Sequence, residues 1–161
     1  MGGYIRKINK IILHCSDSEW GTMFEIKKWH TDPLPKGRGW SHIGYHYVVC
    51  NSFPTYNSWK DKQPDLNNMG LIQISLDEKI AGIHCVGDNW DSIGICMIGV
   101  KDFSDDVIQS TRKLIKNLLN KYNLTPKDVW GHYERQSGIK QGKTCPNIDM
   151  NEFRLTLKVM F

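Results

Sequence analysis

Lys10-Ile11-Ile12-Leu13-His14-Cys15 carries apolar side chains at successive positions, and this stretch decides the fold. Side chains alternate across a strand, so Ile11, Leu13 and Cys15 share one face while Ile12 and His14 share the other. A strand apolar on both faces belongs at the centre of a sheet covered on both sides. Ser92-Ile-Gly-Ile-Cys-Met-Ile-Gly-Val100 repeats the pattern and predicts a second fully buried strand.

Helix signals surround these strands. Thr22 and Glu25 form a capping box ahead of a short helix from Met23 to about His30. Ser104 caps a longer helix, with Asp105 and Asp106 at its positive end and Lys121 near its negative end. Val107, Ile108, Leu114, Ile115, Leu118, Leu119 and Tyr122 recur along it at helical spacing and make one apolar face. Asp149 and Glu152 open a C-terminal helix ending near Met160. Tyr45–Cys50, Leu71–Ser75, Ile80–His84 and Val129–His132 read as further strands. Residues 51–68 are rich in Asn, Asp, Lys, Pro and Ser around Tyr56 and Trp59, an inserted loop that leaves the core. Strands interleaved with helices give an α/β class: one domain over residues 1–161, with a central sheet flanked by helices.

The chain has 161 residues, 40% of them hydrophobic and 24% charged, which suits a soluble globular domain with its own core. The net charge of +4 favours an anionic surface such as a cell wall and is too small to imply nucleic acid. The first residues contain no long apolar stretch, and no segment approaches membrane-spanning length. Neither a signal peptide nor a membrane anchor is therefore expected, and the protein is expected to be made in the cytoplasm as a monomer. Residues 1–3 carry no weight in this reading. The five cysteines (15, 50, 85, 96 and 145) are odd in number and irregularly spaced, which suggests free thiols in a reducing compartment. A single Cys50–Cys85 bridge is the alternative.

His14 ends the first apolar run, His132 ends Val129-Trp130-Gly131, and Cys145 lies in Lys143-Thr144-Cys145-Pro146. Imidazole and thiolate are donors that zinc favours, and three protein ligands leave the fourth tetrahedral position for water, the mark of a hydrolytic site. Strand alternation prevents His14 and Cys15 from facing the same ion, so Cys15 reads as a small buried hydrophobe. Spacing alone is a modest signal, because His132 and Cys145 stand thirteen positions apart and a histidine at a strand end is often structural. No His-Glu-x-x-His helix is present, which excludes that class of metalloprotease.

Seven phrases in order extend the pattern: Ile-Ile-Leu-His14-Cys-Ser, Lys-Lys-Trp29-His30, Ile-Gly-Tyr45-His-Tyr, Ala-Gly-Ile-His84, Asn89-Trp-Asp-Ser-Ile-Gly-Ile-Cys, Trp-Gly-His132 and Lys143-Thr-Cys145-Pro. With them the chain resembles the zinc-dependent N-acetylmuramoyl-L-alanine amidases, the group of phage endolysins and peptidoglycan recognition proteins, and most of all the small phage-lysozyme branch. The resemblance spans Lys10 to Phe161. It implies a central mixed sheet of the peptidoglycan recognition protein type, with zinc held by His14, His132 and Cys145. It also implies Tyr45 and Lys143 at the reacting carbonyl, and Trp29, His84 and Asn89 near the substrate. The implied partner is peptidoglycan, cut between N-acetylmuramic acid and the L-alanine of the stem peptide.

That chemistry needs a water activated at neutral pH and donors for a tetrahedral oxyanion. The Lys143 ammonium and the Tyr45 hydroxyl are the available donors, and Tyr45 is the proton carrier by resemblance. Taken as residues alone, Lys143 also fits a solvated loop lysine and Tyr45 a half-buried strand aromatic. Trp29 fits core or cleft equally, His84 fits cleft or structure, and His42 and His46 fit structural or surface places. The family's tight Asp-Gly turn after the strand bearing Tyr45 is missing here, and residues 51–68 stand in its place. That loop is expected to border the cleft and tune wall preference, with Lys36-Gly-Arg-Gly-Trp40 in a similar part. Three alternatives remain: a non-catalytic peptidoglycan-binding module on the same fold, an amidase with an added protein-inhibitor role, or a zinc-stabilised structural protein.

Overall fold

The computed structural model of the protein describes residues 5–158. Five strands, β1 (Lys10–Cys15), β2 (Tyr47–Val49), β3 (Ile72–Ile74), β4 (Ser92–Met97) and β5 (Val129–Gly131), form one mixed sheet in the order β3-β2-β4-β1-β5. β1 lies parallel between β4 and β5, β2 is parallel to β4, and only β3 runs antiparallel, against β2. The two strands apolar on both sides therefore occupy the middle, and every residue of β4 is buried.

One face of the sheet carries Ile11, Leu13, Ile93, Ile95, Met97 and Val129. α3 (Asp105–Tyr122) and α5 (Met150–Lys158) cover it with Val107, Leu114, Ile115, Leu118, Leu119, Met150, Phe153 and Leu157. Ser104 Oγ accepts the Val107 N–H as the cap of α3, and Asn123 ends that helix in the left-handed conformation. Asp149 accepts the Asn151 and Glu152 N–H groups at the start of α5. The expected end of that helix near Met160 lies outside the described residues. On the other face, α1 (Met23–Thr31) buries Ile26 against Val48, Cys96 and Ile98. Its capping box is formed, with Thr22 accepting from Phe24 N–H and Glu25 accepting from Thr22 N–H.

The expected strand over Ile80–His84 does not form, because other groups take its backbone. The Arg6 guanidinium, itself buried, donates to the Ile80 C=O at 2.7 Å and to the carbonyls of Glu78, Asn89, Trp90 and Ser92. Ile83 N–H donates to Gly44 C=O, and the His84 and Cys85 N–H groups donate to Asn89 Oδ1. Residues 80–89 are thus a knotted turn around one cation. β2 is shorter than the expected Tyr45–Cys50, β4 ends at Met97 rather than Val100, and β5 ends at Gly131. Two short helices were also unforeseen: α2 (Tyr56–Lys60) inside the 51–68 loop, and α4 (Gln136–Lys140). All five cysteines are free, as expected from their number, and no Cys50–Cys85 bridge forms.

Candidate active site

Parallel pairing of β5 on β1 brings residues far apart in sequence to one end of the sheet. His14 is the fifth residue of β1, and its register partner on β4 is Cys96, so its ring projects on the α1 side. His132 leaves the end of β5 in a 3-10 turn, and Cys145 returns beside it, with Tyr133 N–H donating to the Cys145 C=O at 3.0 Å. One donor atom from each of His14, His132 and Cys145 lies within 4.8 Å of the other two. The Cys15 backbone N–H donates to Cys145 Sγ at 3.1 Å, while Cys15 itself is buried.

The donors suit a cation. Burial first, then the neighbouring imidazoles, holds His14 well below the usual histidine range. Burial and the Lys143 charge lower His132 in the same direction. Both rings are therefore neutral and offer lone pairs. His132 Nε2 is buried with no hydrogen-bond partner, a cost of about 1–3 kcal/mol that a coordinated ion would remove. The adjacent Cys15 thiol and burial push the Cys145 thiol up, so the thiolate forms only with a positive charge next to it. This cluster could hold a metal ion, and its two nitrogens and one sulfur are soft enough to exclude calcium or magnesium as the preferred guest.

Above the cluster lies a cavity of about 530 Å³ lined by His14, Tyr45, His84, Asn89, His132, Lys143 and Cys145 among others. The Tyr45 ring stacks tilted against His14 at 5.1 Å, and burial raises its pKa well above 10, so it keeps its proton as a donor. Lys143 is exposed at the mouth, where its backbone N–H donates to the Gly138 C=O. His84 places Nδ1 2.9 Å from His14 Nε2. Asn89 lines the cavity but spends its side-chain oxygen on the His84 turn. Trp29 is not among the lining residues. It packs with the α1-side core and meets Trp20 edge-on at 5.5 Å.

His30, Asp17 and Asn147 also line the cavity and were not singled out as site residues in the sequence. His30 stood in plain view as the end of the Lys-Lys-Trp-His phrase; it accepts Gly44 N–H at 3.0 Å and packs on Trp40 and Tyr45. Arg38 and Trp40 form one wall, the guanidinium 5.3 Å from the indole centroid. No residue of the 51–68 loop lines the cavity. The loop attaches behind it, through Gly21 N–H to Phe53 C=O and through Tyr56 against Trp20 at 5.6 Å.

The sequence profile of N-acetylmuramoyl-L-alanine amidase matches residues 4–148. The chain belongs to the N-acetylmuramoyl-L-alanine amidase family. Over 154 residues this amidase is 28% identical to the endolysin of Escherichia phage T7, covering 89% of the chain and 83% of that protein. Over 160 residues it is 24% identical to the endolysin of Klebsiella phage KP32, covering 92% and 86%. The solved N-acetylmuramoyl-L-alanine amidase LysC from Clostridium intestinale URNW superposes with a TM-score of 0.72 at 26% identity, over 97% of the chain and 89% of LysC. Drosophila peptidoglycan recognition protein SA shares the fold, with a TM-score of 0.65 at 17% identity over 93% of the chain and 79% of that protein. Among the described residues of the amidase, no helix is long and apolar enough to cross a membrane.

Proposed function

We propose that this amidase is a phage-type endolysin that uses zinc, held by His14, His132 and Cys145, to cut the bond between N-acetylmuramic acid and the L-alanine of the stem peptide. The single observation that carries it is the convergence of those three donors, one with an orphaned buried nitrogen, at the floor of the cavity bearing Tyr45 and Lys143. Two imidazoles and a thiolate match zinc, and three protein donors keep one position for the reaction. Zinc bound there supplies an activated water and a Lewis acid at the scissile carbonyl.

The chain's own groups do the rest. Tyr45, kept protonated by burial, donates to the oxygen that gains charge as the amide carbon becomes tetrahedral. Lys143 brings a full positive charge to the same oxygen from the mouth of the cavity. The leaving amine needs a proton, and the Tyr45 hydroxyl, on a ring 5.1 Å from that of His14, is the group assigned to supply it, taking a proton back from the attacking water. The wall formed by Arg38 and Trp40 supplies charge and a flat apolar face to an acidic, sugar-linked peptide. The endolysin relatives and the fold shared with peptidoglycan recognition proteins support a muramyl peptide as the partner.

Digestion of purified peptidoglycan with and without a zinc chelator, followed by mass analysis of the products, tests this. Stem peptides with free L-alanine amino termini are expected only with zinc present. Sugar-bond cleavage products, or wall binding with no release of stems, would reject the proposal; the second result would favour the binding-module alternative.

A further inference from the structure

We infer that His84 is a positioning residue that fixes the tautomer of His14 for the metal, an inference that rests on the metal-site reading above. A directed chain of hydrogen bonds leads to His14. Ser92 Oγ–H donates to the Asp88 C=O at 2.6 Å, which commits the only hydroxyl hydrogen Ser92 has. The same oxygen lies 3.3 Å from His84 Nε2, so His84 must be the donor there. With its proton on Nε2, neutral His84 presents a bare Nδ1. That atom stands 2.9 Å from His14 Nε2, which must then carry the proton of His14. The lone pair of His14 is thereby assigned to Nδ1, the nitrogen left to meet an ion. Which nitrogen of a ligand histidine binds is set in general by the hydrogen bond that the other makes.

The surroundings show that the chain makes room for this ring. A Cβ on Gly94 would sit 2.7 Å from His84 Cγ and Cδ2, and one on Gly82 would sit 2.6 Å from Cδ2. Glycine on both sides lets the imidazole slide between the sheet and the 80–89 turn. The His84 and His14 ring planes lie 89° apart with centroids 5.0 Å from each other, a separation that a nitrogen-to-nitrogen contact of 2.9 Å between the ring edges accommodates. Ser92 is fully buried and His84 nearly so, and both ring nitrogens of His84 have partners within the protein. A histidine whose purpose was to touch substrate would keep one nitrogen for it.

Zinc affinity by competition with a chromophoric chelator, together with two-bond ¹H–¹⁵N correlation spectra of the metal-free protein, tests the relay. His14 is expected as the Nε2–H tautomer in metal-free wild type. His84→Leu keeps the bulk but no acceptor, and is expected to weaken zinc binding about 10- to 100-fold, the range for groups that hydrogen-bond a metal-ligating histidine. His84→Asn puts an oxygen near the place of Nδ1 and is expected to recover most of that loss. A purely structural role for His84 would not distinguish the two variants in this way. Finding His14 as the Nδ1–H tautomer would overturn the inference without any variant, so a misfolded His84→Leu does not protect it. Unchanged zinc affinity in a folded His84→Leu would overturn the relay alone. A wild type that bound no zinc would overturn the metal reading and the relay with it.

Discussion

Taking the protein from pH 7 to pH 4.5 should destabilise it through His46. His46 is fully buried, accepts the Gly94 N–H on Nδ1 at 3.0 Å and lies with Nε2 3.0 Å from the Ile80 C=O, a pairing only the neutral ring can satisfy. Burial above all lowers its pKa from 6.5 to about 4, with the Arg6 guanidinium acting in the same direction against the Ile80 carbonyl. The unfolded chain therefore takes up a proton near pH 6.5 that the folded chain refuses until about pH 4. The stability tied to this site is complete above pH 6.5 and is lost as the pH falls through that window. With those two values the loss at pH 4.5 is about 2.5 kcal/mol. Urea denaturation of wild type and His46→Asn, both in chelator, at the two pH values provides the measurement. Asparagine can accept from Gly94 but does not titrate, so the stability gap between the two proteins should shrink by about 2.5 kcal/mol at pH 4.5. A gap that stayed constant would show that His46 titrates at its ordinary value in the fold, and would refute the reasoning.

Further outcomes follow from the same structure. Cys145→Ser should shed zinc on dialysis, as read by metal analysis, because it removes the only sulfur donor of the cluster. Lys143→Ala should keep zinc and lose about a hundredfold in kcat, roughly 3 kcal/mol, the usual effect of deleting one oxyanion donor. Gly138→Ala would place a Cβ 1.9 Å from the His132 C=O, so thermal unfolding should show a loss of about 1–3 kcal/mol, and zinc affinity should fall as His132 is displaced. Arg6→Met removes the hydrogen bonds of one buried guanidinium to five backbone carbonyls, those of Glu78, Ile80, Asn89, Trp90 and Ser92, and should cost more than about 3 kcal/mol in chemical denaturation.

The parts of the fold legible in the sequence were those set by local rules. β1 and β4 were readable because strands buried on both faces have no polar alternation to hide them, and α1, α3 and α5 announced themselves through Thr22, Ser104 and Asp149. What failed was the turn at Ile80–His84. Its short apolar run is organised by Arg6, more than seventy residues away in sequence, and no local pattern reports a cation that collects distant carbonyls. α2 and α4 are five residues each, too short for a helical period to show. At the site, the likeness of seven phrases pointed to His14, His132 and Cys145, and the structure brings them together. Trp29 could not be placed by sequence because an aromatic on a short helix suits core and cleft alike. The 51–68 loop, expected at the cleft on account of its aromatics, spends Tyr56 on Trp20 instead.

The pairing of β5 with β1 has a bearing on how such an enzyme is made. The proposed metal centre draws a histidine from β1 and two donors that follow β5, so its donor set is complete only once residue 145 has left the ribosome and β5 has docked on β1. Nascent chains stalled at any earlier point hold at most two of the three donors. On the metal-site proposal, a chain cut short before Cys145 would carry no complete donor set.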